Sequence, residues 1–105
     1  LEKGEFEAAL NVFERLIDLD PNNPEAWNGK GAALDYLRRH EEAIASYDRA
    51  LAINPDDANA WSIRGNALGN LGRSEEAISS FDRALALHPK VIYICTSLGA
   101  TVNNL

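Results

Sequence analysis

The side chains in this chain best equipped for chemistry are few: His40, His88, the single cysteine Cys95, and two adjacent carboxylate pairs, Glu41-Glu42 and Glu75-Glu76. A histidine beside a carboxylate can do general acid–base work. A thiolate near a histidine can act as a nucleophile, and a cluster of such groups can hold a metal. The sequence assembles none of these. Cys95 has no second cysteine to bridge, and His40 and His88 fall at no spacing that completes a zinc site. The glutamate pairs recur at helix starts, where carboxylates answer the partial positive charge of the helix end. Glycine-rich phosphate loops and Ser-His-Asp arrangements are missing. The chain reads as a non-enzyme, with no cofactor and no metal expected.

What positions these residues is a repeat. Pro21, Pro55 and Pro89 stand 34 apart, as do Trp27 and Trp61, and Gly31, Gly65 and Gly99. One half of the unit occurs at residues 4–10, 38–44 and 72–78, and the other at residues 27–34, 61–68 and, in degenerate form, 95–102. Trp27, Gly31 and Leu34 recur at i, i+4, i+7, and Ala43, Tyr47, Ala50 and Leu51 at i, i+4, i+7, i+8, which places each set on one helical stripe. Asn23-Pro24, Asp56-Asp57 and Ser74-Glu75-Glu76 supply helix starts, and the three prolines supply stops. The pattern predicts helices near 4–19, 24–38, 41–53, 58–71, 75–87 and 91–104. Gly31 is expected opposite Ala43, letting two backbones approach, with Trp27 and Tyr47 filling the space beside them.

Composition narrows the function classes. Sixteen acidic residues against ten basic give a net charge of -6, which repels a phosphate backbone, so nucleic acid is not an expected partner. No run approaches the roughly 18 apolar residues of a membrane span, and no secretory-type leader is present. A soluble, cytoplasmic protein without membrane insertion is expected. The absence of methionine reads as a piece cut from a longer chain.

Trp27, Gly31, Leu34, Ala43, Tyr47, Ala50 and Pro55, repeated as Trp61, Gly65, Leu68, Ala77, Phe81, Ala84 and Pro89, resemble the signature of the tetratricopeptide repeat. The resemblance implies an all-α fold: a right-handed superhelical stack of antiparallel hairpins, an α-solenoid of about six helices. A single domain, 1–105, then divides into a second helix of an incomplete repeat (1–20), two full repeats (24–57 and 58–91) and a first helix (92–105). The family implies a non-catalytic scaffold that binds a protein or peptide in a concave groove lined by the first helix of each repeat. Carried over by helical geometry, the groove candidates are Asn28, Ala32, Asp35 and Tyr36, then Asn59, Ser62, Ile63, Asn66 and Asn70, then Tyr93 and Ser97. An asparagine column offers both donors and acceptors to an extended peptide backbone. Repeats that grip acidic chaperone tails present Lys and Arg with Asn as a carboxylate clamp; the matching positions here are Asn28, Ala32, Ile63, Tyr93 and Ser97, with every cationic member absent, so that specialised function is disfavoured.

Several positions depart from the pattern. Lys30 and Arg64 stand where the family has Leu; either their stems cover the hairpin while the charge reaches water, or they touch a ligand. Arg38-Arg39-His40 reads as an exposed turn, with docking of an acidic group as the alternative. The segment from Val91 to Cys95 is apolar where its equivalents are polar. Helix 1–20 carries Phe6, Leu10 and Phe13 without a preceding partner helix. The alternative function is therefore self-assembly or spacing, a homo-oligomer formed through Phe6, Leu10, Phe13, Ile92, Ile94, Leu98 and Val102.

Overall fold

A computed structural model of the chain describes residues 3–87. Five helices follow one another: α1 (Lys3–Leu19), α2 (Pro24–Tyr36), α3 (His40–Ile53), α4 (Ala58–Asn70) and α5 (Ser74–Leu87). There is no strand among the described residues, and the fold is the all-α solenoid that the period implies. The helix expected over 91–104 lies outside the described residues.

Local chemistry sets the ends. The Asn23 side chain accepts the Glu25 N–H at 3.0 Å, with Pro24 at the first helical position, and the Asp57 carboxylate accepts the N–H groups of Asn59 and Ala60 at 3.1 and 3.2 Å. Each cap satisfies donors that a helix start leaves unpaired. Helix α2 stops at Tyr36, earlier than its expected end at 38, because the chain turns through a Schellman motif. The Arg39 N–H reaches back to the Leu34 carbonyl at 2.8 Å and the Arg38 N–H to Asp35 at 3.0 Å. The motif recurs after α4, from Arg73 to Leu68 at 2.9 Å and from Gly72 to Gly69 at 3.0 Å. It demands a left-handed residue, supplied by Gly72 (φ 78°) in one turn and by Arg38 (φ 65°) in the other.

Burial then joins the helices. Leu10, Leu34, Ile44, Tyr47 and Leu68 form one cluster with Ala33, Ala43, Ala67 and Ala77, and each large aliphatic side chain withdrawn from water there stabilises the fold by about 1.5–3 kcal/mol. Of the partners expected around Gly31, the Tyr47 ring lies nearest. Gly31 seats the ring of Tyr47, which a β-carbon would overlap, and a β-carbon on Gly65 would fall 2.7 Å from Cε1 of Phe81. Glycine is required because an aromatic ring of the partner helix lies flat on the backbone. Ala43, fully buried, belongs to the surrounding cluster. Burial also pushes the Tyr47 phenol above its ordinary range.

The tryptophans lock each hairpin to the turn before it. Trp27 Nε1 donates to the Pro21 carbonyl at 2.8 Å, and Trp61 Nε1 donates to the Pro55 carbonyl at 2.8 Å. Proline and tryptophan thus recur together because one offers the carbonyl that the other needs.

Every helix packs on the next in chain order. Beyond these pairings α2 touches α4 directly, whereas α1, α3 and α5 make no contact with one another. The stack is therefore tighter along the α2–α4 side, so α2 and α4 line its concave face and α1, α3 and α5 its convex one. No described helix is long and apolar enough to cross a membrane.

Candidate interaction face

The concave face is built by alternate helices that present one stripe to the hairpin and the other inward. Of the groove residues expected from sequence, Tyr36, Asn59 and Asn70 are exposed, and Asn28, Ala32, Asp35, Ile63 and Asn66 are half-buried. Ser62 is buried, which corrects the expectation of an exposed groove residue there. Ile63 packs against the core cluster. Tyr93 and Ser97 lie outside the described residues.

Asn28 has an internal task. Its Nδ2 donates to the Asp57 carboxylate at 3.4 Å, tying α2 to the cap of α4, and its Oδ1 is buried with no hydrogen-bond partner among the described residues. Asn66 and Asn70 continue the amide stripe along α4.

Of the residues expected at a self-association surface, the three described ones are engaged within the stack. Leu10 is in the core, Phe6 stacks on Tyr36 with ring centroids 4.5 Å apart, and the Phe13 ring covers Gly29. The apolar surface of α1 is instead Val12, Leu16 and Leu19, which are 54%, 41% and 83% exposed. Ile92, Ile94, Leu98 and Val102 lie outside the described residues.

Sequence reasoning missed a ladder of charges on the repeat register. Arg49 lies over the Trp27 ring at 5.1 Å from its centroid, and Arg83 over Trp61 at 5.2 Å. Lys30 and Arg64 approach the same two rings from their own helices, at 5.4 and 5.8 Å. Each basic side chain also reaches the helix before it: Lys30 Nζ is 3.8 Å from Glu14, and Arg64 Nε donates to Asp48 at 2.6 Å. Arg64 reaches the following helix as well, donating through Nη1 to the buried Ser80 hydroxyl at 2.6 Å. These two departures from the family pattern therefore act within the stack. The signal was present in the 34-residue spacing of Arg49 and Arg83, which amphipathicity alone does not explain.

The turns carry a second pair of repeats. Arg39 grips Glu42 through Nε and Nη2, both at 2.7 Å, and Arg73 grips Glu76 at 2.7 and 2.8 Å. The arginine hydrogen bonds hold both carboxyls below the ordinary glutamate range, and the carboxylates raise the arginines in turn. Glu42 and Glu76 thus pair with a specific cation in addition to facing a helix start. His40, expected in an open turn, is the first residue of α3, and its Nδ1 contacts the Asp35 carboxylate.

Asp35, Tyr36, Arg38 and His40, from the end of α2 and its turn, meet Asn70 from the end of α4 around an open hollow of about 320 Å³. Three of the expected groove residues are brought together here. Among the described residues no three His, Cys, Asp or Glu side chains gather as metal ligands.

A family model described as tetratricopeptide repeat matches residues 1–58 and again 33–92. The chain belongs to the tetratricopeptide repeat family. A tetratricopeptide domain of Spaghetti (RPAP3), solved bound to an HSP90 peptide, superposes with a TM-score of 0.79 at 27% identity, over 91% of this chain and 82% of that one. The crystal structure of MamA gives 0.77 at 28% identity, over 85% of this chain and 52% of that one. The Yersinia enterocolitica secretion chaperone SycD, solved with a peptide of the translocator YopD, gives 0.84 at 23% identity over 96% and 79%, a likeness of fold alone. An uncharacterized protein of Methanocaldococcus jannaschii is 46% identical over 41 residues, which is 39% of this chain and 48% of that protein. This tetratricopeptide chain thus spans about half the length of MamA, and its match to the archaeal relative spans about half of that protein.

Proposed function

We propose that this chain is a non-catalytic interaction module that holds an extended peptide, or an unstructured segment of a partner protein, against the concave face of α2 and α4. The observation that carries this reading is the direct α2–α4 contact on one side of the stack and the separation of α1, α3 and α5 on the other, which makes a groove of those two helices. Along the groove Asn59, Asn66 and Asn70 present amides that pair with a peptide backbone in either sense. Tyr36, 70% exposed, adds a large apolar contact at one end. The RPAP3 domain bound to a peptide supports the same use of this fold. Of the positions that match the carboxylate clamp, Asn28, Ala32 and Ile63 supply no cation, which argues against an acidic chaperone tail lying along the A-helix stripe.

The test is to select peptides on the immobilised chain from a random library and measure the winners by fluorescence anisotropy. Asn66→Ala should weaken them about fivefold, the worth of one hydrogen bond, with the thermal midpoint unchanged. Binding that survives Asn66→Ala and Tyr36→Ala together defeats the reading.

One observation favours a second reading, self-assembly. Val12 and Leu16 are exposed at register positions where Ser46 and Ser80, and Ala50 and Ala84, are buried. The register pairs Arg64 with Ser80 and seats Trp61 on Ala84. At the corresponding positions the chain offers Leu98 for Val12 and Cys95 for Leu16, an apolar pair for a polar one and small-with-large for large-with-small. Residues 91–104 of one copy would then supply the first helix of the repeat whose second helix is α1 of another. Light scattering over a concentration series should show a rising mass that Val12→Ser with Leu16→Ala suppresses; a constant monomer mass excludes it.

A further inference from the structure

The turn that follows α2 carries different side chains from its 34-residue equivalent after α4. Where the second repeat has Gly69, Asn70, Gly72 and Ser74, the first has Asp35, Tyr36, Arg38 and His40. All four of the latter line the hollow that Asn70 closes from α4.

Arg38 is the most telling of them. It holds a left-handed backbone at φ 65°, in the motif position that the second turn gives to Gly72 at φ 78°. A side chain there costs about 1 kcal/mol relative to glycine. The fold obtains nothing visible in return: among the described residues Arg38 makes no ion pair, whereas its neighbour Arg39 is gripped by Glu42. The one carboxylate at the hollow among the described residues, Asp35, is engaged by His40. What remains to face an incoming group is the Arg38 guanidinium, the Asn70 amide and the ring of Tyr36, which Phe6 supports from behind.

We propose that this hollow is an oxyanion site that takes a carboxylate of a bound peptide, through the planar fork of Arg38 and the Asn70 amide. It lies at the turn end of the groove, away from Asn28, Ala32 and Ile63, and it rests on the groove reading for the rest of the peptide. The carboxylate could belong to a chain terminus or to an acidic side chain.

The experiment separates both questions. Titrate the 15N-labelled chain with N-acetyl-Ala-Ala as the free acid, the same dipeptide as its amide, and N-acetyl-Glu-amide, following the Arg38 Nε–H and Asn70 side-chain signals. The free acid or the glutamate amide should give saturable shifts and the neutral amide none; which acid binds more tightly identifies the source. Arg38→Gly should weaken binding at least about tenfold, the loss of a charge-assisted hydrogen bond, while raising the thermal midpoint, so lost binding cannot be mistaken for unfolding. Equal shifts with the neutral amide, or unchanged affinity in Arg38→Gly, overturn the proposal. Acid dipeptides that bind although longer library peptides gain nothing over them would leave the hollow standing and the groove reading lost. Longer peptides that bind regardless of any carboxylate would do the reverse.

Discussion

Hairpin α2–α3 seats Tyr47 on Gly31 and bonds Trp27 to the Pro21 carbonyl; hairpin α4–α5 seats Phe81 on Gly65 and bonds Trp61 to the Pro55 carbonyl. Their turns repeat the same Schellman geometry and the same arginine–glutamate grip. The hairpins differ in what is placed around that frame: glycines and a serine at the second turn, and Asp35, Tyr36, Arg38 and His40 at the first. Packing is therefore a property of the repeat unit, whereas surface chemistry is a property of each copy. In a stack whose units touch only their neighbours, a copy can vary its exposed positions without disturbing the next.

If packing belongs to the unit, equivalent core truncations should cost equally. Leu34 and Leu68 are 2% and 0% exposed, so Leu34→Ala and Leu68→Ala should each destabilise by about 3 kcal/mol in urea unfolding. A gap between them larger than about 1.5 kcal/mol would break the equivalence of the hairpins.

The basic pair should separate them. Arg64→Ala removes two short hydrogen bonds and leaves the Ser80 hydroxyl, 0% exposed, without its donor, at about 1–2 kcal/mol. Lys30→Ala removes a 3.8 Å pair and the ammonium over the Trp27 ring, strands no buried polar group, and should cost less, about 0.5 kcal/mol. Equal losses would mean that the Ser80 contact contributes nothing.

The smallest effect is in acid. Glu42 and Glu76 are held below their ordinary range by Arg39 and Arg73. Their contribution is therefore complete above the ordinary glutamate pKa, about 4.3, and is lost as the pH falls through the lowered folded value. The urea midpoint should decline through that window by a small amount, shared evenly between the turns. Arg39→Ala and Arg73→Ala should each remove about half of this pH dependence, and an unequal split would show that the two grips are not equivalent.

The fold was legible because the period writes each packing contact twice. Trp, Gly, Leu, Ala and Pro recur at fixed offsets, and their stripes locate the helices to within a few residues. What amphipathicity could not show was who touches whom. Gly31 reads as a place for close backbones, but whether Ala43 or the Tyr47 ring fills it depends on how the hairpin is rotated. Asn28 reads as a groove amide because its position faces inward; its bond to Asp57 depends on how closely α4 follows α2. Ser62 was placed in the groove by the same geometry, and a helical wheel does not show which of its inward positions the packing buries. The hollow escaped notice for a different reason: Asp35 and Asn70 are far apart in sequence, and only the stacking of the repeats brings them together.

The bond from each indole to a proline carbonyl has a practical side. Each hairpin contains a single tryptophan, fixed by its N–H and flanked by two cations, so the two indoles are fluorophores whose emission changes when their own hairpin opens. A chain keeping Trp27 alone and one keeping Trp61 alone would watch the two units separately. Coincident transitions would mark the stack as a single cooperative body, and staggered ones would show that it opens one unit at a time.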